Sequence, residues 1–103
     1  MQIEMTNNNG GFTILLCGEL DHHAARQAIT EISQIIDSEL PGKLYVDLHN
    51  LNFMDSSGIA VLLNTQKRVS SYGGIVIVQN VPMQAMRVLD SAGVSKIMEI
   101  AGV

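Results

Sequence analysis

Leu44-Tyr45-Val46-Asp47-Leu48 and Ile75-Val76-Ile77-Val78 are short apolar runs rich in β-branched residues. Between them, from Ser56 to about Tyr72, Ile59, Leu62, Leu63 and Val69 fall on one helical side. The two runs are too short for independent helices and suit strands covered on both faces. A connection from His49 to Met54 leads into the helix, and Gly73-Gly74 stops it. Strands separated by a helix imply parallel pairing through a right-handed crossover. This β-α-β unit decides the fold class, and Ile75–Val78, the most strand-like run, is expected at the sheet centre.

Working outward toward the amino terminus, His22 to about Ser38 carries Ala25, Ala28, Ile29, Ile32, Ile35 and Ile36 at the three-and-four spacing of one helical face. Asp21 is the expected N-cap, and Pro41-Gly42 ends the helix. Ahead of it, Ile3 and Met5 alternate with polar neighbours as a short edge strand, and Asn7-Asn8-Asn9-Gly10-Gly11 reads as a turn. Phe12 to Cys17 forms the second strand of the hairpin, with Gly18-Glu19-Leu20-Asp21 carrying the chain off its end.

Downstream, Pro82 suits a helix first turn, where its missing N–H costs nothing. Ala85, Met86, Val88 and Leu89 line that helix, Gly93 closes it, and Ile97-Met98-Glu99-Ile100 supplies a last short strand. The expected fold is α/β in the order β-β-α-β-α-β-α-β. It is a mostly parallel sheet with an N-terminal antiparallel edge strand and helices packed against it, in one domain spanning residues 1–103.

Composition narrows the function. The 103 residues are 47% hydrophobic and 16% charged, enough apolar surface for one core and too little charge for wholesale disorder. A net charge of −4 without a Lys/Arg cluster argues against a nucleic-acid surface and favours a protein partner. Met1-Gln2-Ile3-Glu4-Met5 lacks the basic stretch and apolar core of a signal peptide, and no apolar run approaches a membrane span. The chain is expected to be cytoplasmic and without a membrane partner. Cys17 is the sole cysteine, which rules out an internal disulfide, and its apolar neighbours Ile14-Leu15-Leu16 suggest a buried small hydrophobe.

In a parallel α/β sheet, function is sought in loops at the carboxyl ends of the strands. Asp21, after the second strand, and Asp55-Ser56-Ser57, after the third, belong at that end. Met54-Asp55-Ser56-Ser57-Gly58 lies at a loop-to-helix junction, where Asp55 or Ser56 can accept from a free N–H of the first turn. A capped helix with a glycine for close packing accounts for part of this cluster. The same N–H groups also favour an added anion, so a phosphate is tolerated there without unfolding the domain. Such a modification acts on a partner by steric block or repulsion, with Asp21 and Asp55 placed to orient the serine hydroxyl beforehand.

Gly18-Glu19-Leu20-Asp21-His22-His23 together with Phe53-Met54-Asp55-Ser56-Ser57-Gly58 resembles the STAS domain family, over nearly the whole chain. Within it, Asp21-His22-His23 looks most like the sporulation anti-sigma F factor antagonists. The resemblance implies a non-enzymatic partner switch without cofactor or metal. The unmodified protein binds an anti-sigma factor that is itself an ATP-dependent serine kinase, and so frees a sigma factor. Phosphorylation ends the binding, and a metal-dependent serine phosphatase restores it. The resemblance places the acceptor at Ser57 and partner contacts at Asp21, His22, Asp55, Ser56, Ser57 and Gly58. Where the family often continues Gly-Leu-Gly, this chain has Gly58-Ile59-Ala60, and Asn64 replaces a small residue, a bulkier helix face that bears on partner choice.

Other readings are weaker. An accessory STAS subunit of a lipid transporter or signalling assembly shares the fold but needs a dedicated partner. Asp21-His22-His23 also spells a metal motif of phosphoesterases, yet only His49 and scattered carboxylates could complete it. A histidine phosphocarrier using His22 or His23 fits the element order poorly. Asp55-Ser56-Ser57-Gly58-Ile59 lacks the Gly-x-Ser-x-Gly elbow of a serine hydrolase. Gly10-Gly11 and Gly73-Gly74 lack the Lys-Ser/Thr of a phosphate-binding loop.

Overall fold

A computed structural model describes residues 1–8 and 11–102. The chain runs β1 (Gln2–Asn8), β2 (Gly11–Leu20), α1 (His22–Glu39), β3 (Lys43–Asp47), β4 (Leu51–Met54), α2 (Ser56–Ser70), β5 (Ile75–Gln79), α3 (Met83–Ser91), a 3-10 turn (Val94–Lys96) and β6 (Glu99–Ile100). This is the expected α/β order, with β4 added in the connection before α2. Of the expected hairpin turn, Asn9 and Gly10 lie outside the described residues. No helix of the described residues is long and apolar enough to cross a membrane.

The sheet order is β1-β2-β3-β5-β6, antiparallel between β1 and β2 and parallel elsewhere, with β4 pairing β2 off this path. The centre is therefore β3, and Ile75–Val78 sits one place to its side, bordered by the short β6. The crossovers β2-α1-β3, β4-α2-β5 and β5-α3-β6 all advance in one direction, so right-handedness puts the three helices on one face of the sheet.

Side-chain alternation then sorts β2. Phe12, Ile14, Leu16 and Leu20 are buried, while Thr13, Leu15 and Cys17 are half-buried on the opposite side. Cys17 is thus outside the core, with Sγ 4.0 Å from Asn50 Nδ2, a correction that follows from the period of two. Against the core face α1 buries Ala28, Ile32 and Ile36, and α2 buries Gly58, Val61, Leu62, Thr65 and Val69. Thr65 Oγ1 donates to the Val61 carbonyl at 2.8 Å, which satisfies the one buried polar side chain among the described residues. α3 adds Ala85 and Leu89, with Met86 and Val88 packed at the margin.

Three boundaries differ from expectation for local reasons. β2 does not end at Cys17. Gly18 adopts φ +106°, a conformation open to glycine, and a register shift between Gly18 and Glu19 re-aims the strand to pair with β4 through Leu20. Pro82 precedes α3 as its N-cap rather than occupying the first turn. β6 is shorter than Ile97–Ile100 because the chain is still turning there: Ile97 and Met98 N–H both donate to the Val94 carbonyl.

Candidate functional site

The short β4 organises the carboxyl end of the sheet. Leu20 is in register with Met54, and the Asp55 N–H donates to the Leu20 carbonyl at 3.3 Å. Asp21 and Asp55 therefore follow directly on two paired strand ends, and each begins a helix. Asp55-Ser56-Ser57 follows this fourth strand, not the third.

Both aspartates are N-caps with extended backbone. Asp21 Oδ1 accepts from the N–H groups of His23 (3.1 Å) and Ala24 (3.0 Å). Asp55 Oδ1 accepts from the Ser57 N–H at 2.8 Å, and the Gly58 N–H donates to the Asp55 carbonyl at 3.0 Å. Asp55 is thus the cap, and Ser56 is the exposed first residue of α2. The hydrogen bond from Ala24, chiefly, holds the Asp21 carboxyl below its ordinary value of 3.8.

These bonds correct one expectation. Asp21 bonds its own helix, and Asp55 reaches Ser57 through the backbone N–H; among the described residues neither carboxylate bonds the Ser57 hydroxyl. What the Asp55 cap fixes is the position of the half-buried Ser57 in the first turn of α2, at the positive end of the helix dipole.

Gly58 explains how close this turn lies to the strands. A Cβ there would sit 2.6 Å from Met54 Cγ and 3.1 Å from Leu20 Cδ2, and both side chains are fully buried. The glycine lets α2 start against the pair that also positions both aspartates. His22 and His23 are exposed with ring centroids 3.9 Å apart, on the first turn of α1. Ile59 packs at the core margin, Ala60 is exposed and Asn64 half-buried, so the family departure falls along α2 beyond the first turn.

Gln84, in the first turn of α3, was not identifiable from local sequence. Its Oε1 accepts the Met54 N–H and its Nε2 donates to the Met54 carbonyl, each at 2.8 Å. Among the described residues, no three His, Cys, Asp or Glu side chains converge as a metal site.

A parallel sheet with one antiparallel edge, helices on one face, and paired capped helix starts at the strand ends define the architecture. The STAS domain family model matches residues 2–102, and the chain belongs to that family. It is 37% identical to the anti-sigma F factor antagonist of Paenibacillus polymyxa over 100 residues, covering 97% of this chain and 86% of the relative. It is also similar to the solved anti-sigma factor antagonist SpoIIAA in its unphosphorylated form, with 29% identity, 99% and 87% coverage of the two chains, and a TM-score of 0.71. The phosphorylated form of the Bacillus cell fate determinant SpoIIAA matches with 28% identity, 97% and 91% coverage, and a TM-score of 0.71.

Proposed function

We propose that this chain is an anti-sigma factor antagonist controlled by phosphorylation of Ser57. The unmodified form binds an anti-sigma factor with serine kinase activity and releases a sigma factor; phospho-Ser57 abolishes that binding, and a serine phosphatase restores it. The observation that carries the reading is the seat of Ser57. It occupies the first turn of α2, held by the Asp55 cap and beside the paired strand end that bears Asp21.

In the transfer, Ser57 Oγ bonds to the γ-phosphorus of ATP carried by the partner, the bond to the departing ADP oxygen breaks, and the hydroxyl proton passes to a base on the kinase. The serine gains about −1.5 to −2 charges and new acceptor oxygens beside the Asp55 carboxylate. The added anion meets the positive end of α2, so the fold tolerates it, while its bulk and charge obstruct docking. The equal match of this chain to the unphosphorylated and phosphorylated SpoIIAA structures supports a switch on an intact fold. The surface that docks comprises Asp21, His22, Asp55, Ser56 and Ser57; Gly58, expected among the contacts, is buried against Met54 and Leu20 and serves by seating this turn, and the chain acts by binding, not catalysis.

Incubation with ATP and the anti-sigma factor of its own organism, followed by peptide mapping, tests the reading. One phosphoryl group on Ser57 is expected. Modification on Ser56 or elsewhere, with Ser57 untouched, contradicts it.

A further inference from the structure

We infer that Gln84 is a positioning residue for Ser57, tying the acceptor's place to α3. The inference rests on the reading of Ser57 as phosphoacceptor. β4 is four residues long and, among the described residues, pairs only with β2. The Asp55 N–H faces β2, so the N–H and carbonyl of Met54, one residue earlier, point to the opposite edge. A strand edge of this kind leaves both groups unpaired. The Gln84 amide meets both at 2.8 Å, supplying the donor and acceptor that a further strand would.

The Met54–Asp55 peptide is consequently held from two sides, its carbonyl by Gln84 Nε2 and its N–H by the Leu20 carbonyl. The next link is the Asp55 carboxylate, which holds the Ser57 N–H. Gln84, Met54, Asp55 and Ser57 thus form a continuous chain of contacts that begins 27 positions downstream of the serine it serves. No other side chain among the hydrogen bonds of the described residues holds both polar groups of one peptide-chain residue. Loss of such a restraint moves a reacting atom without removing any group that touches ATP, and so acts on turnover rather than on binding.

The test compares four full-length proteins: wild type, Gln84→Met, Gln84→Glu and Tyr72→Phe. Gln84→Met keeps the aliphatic stem and removes the amide. Gln84→Glu keeps an acceptor for the Met54 N–H and sets a second acceptor against the Met54 carbonyl. Tyr72→Phe is the control, removing a 2.8 Å hydrogen bond to the Pro41 carbonyl at the amino end of the strands.

Steady-state phosphorylation of Ser57 by the anti-sigma factor of the same organism, with ATP, is expected to show kcat reduced about tenfold in both Gln84 variants and KM changed by less than about twofold. Tyr72→Phe retains wild-type kcat. By NMR, exchange of the Ser57 amide rises about tenfold in Gln84→Met, while the Ile32 and Ile36 amides are unchanged. Wild-type kcat and exchange in both Gln84 variants, or an equal loss in Tyr72→Phe, would overturn the inference. Absence of Ser57 labelling in the wild type would instead overturn the phosphoacceptor reading, and this inference with it.

Discussion

Asp21 and Asp55 stand one residue beyond the registered pair Leu20 and Met54, and each turns Oδ1 onto the backbone N–H two residues ahead, His23 at 3.1 Å and Ser57 at 2.8 Å. Two helices therefore begin side by side with the same cap, and the serine of interest hangs from one of them. For Asp55 the hydrogen bond carries the cap, because the side-chain oxygen satisfies an otherwise orphan donor. Asp55→Ala is expected to lower unfolding free energy by about 1 kcal/mol in urea titration, with Asp55→Asn within about 0.5 kcal/mol of wild type. An Asn variant as unstable as the Ala variant would assign the effect to charge.

The Asp21 cap makes stability depend on pH. Its folded-state pKa lies below the ordinary 3.8, so the unfolded chain takes up the proton first as pH falls. The carboxylate's contribution is complete above that value and disappears as pH drops through the folded-state pKa. Asp21→Asn lacks this titration. Urea midpoints measured from about pH 6 to about pH 2.5 should fall more steeply for wild type than for Asp21→Asn below about pH 4. Parallel curves would contradict the cap as the source.

Gly58→Ala sets helix propensity against packing. Alanine would favour α2 by up to about 1 kcal/mol. The new Cβ, however, would lie 2.6 Å from Met54 Cγ, an inner atom of a fully buried side chain. Overpacking should win, giving a net loss of about 1–2 kcal/mol by chemical denaturation and perturbed Met54 methyl resonances. A stabilised Gly58→Ala protein would show that β4 yields easily.

Much of this arrangement was legible in the sequence where a repeating pattern spoke for itself. Six apolar residues along α1 and the aspartate before them marked both its buried face and its start; Ala28, Ile32 and Ile36 are the buried ones and Asp21 is the cap. β4 carries no clear strand signal, because it is four residues long and the adjacent apolar Phe53 and Met54 break the alternation, although only Met54 of the two is buried. It exists through pairing with β2, and that pairing depends on the bulge at Gly18. The Gln84 contact was illegible for a related reason: its two hydrogen bonds span 30 positions and leave no local periodicity. Asp55 and Ser56 are both residue types that cap helices, and only the geometry distinguishes Asp55 as the cap.

Substitution at Ser57 separates the hydroxyl from the charge. Ser57→Ala should bind the anti-sigma factor with affinity within about threefold of wild type and resist inactivation by ATP, while Ser57→Asp should bind at least about tenfold more weakly. Pull-down with the purified anti-sigma factor, before and after ATP, reads both. Because the substitutions sit in the first turn of α2, where an acidic group is favourable, Ser57→Asp should keep a wild-type thermal midpoint.

The central claim is that one phosphoryl group on Ser57 switches binding on an otherwise unchanged fold. Calorimetric titration of the anti-sigma factor with unmodified protein and with protein stoichiometrically phosphorylated at Ser57, both checked by circular dichroism, tests it most directly. The expected result is a clear binding isotherm for the unmodified form, at least about a hundredfold weaker binding for the phosphorylated form, and superimposable spectra. Equal affinity of the two forms, or loss of binding accompanied by loss of helical signal, would contradict it.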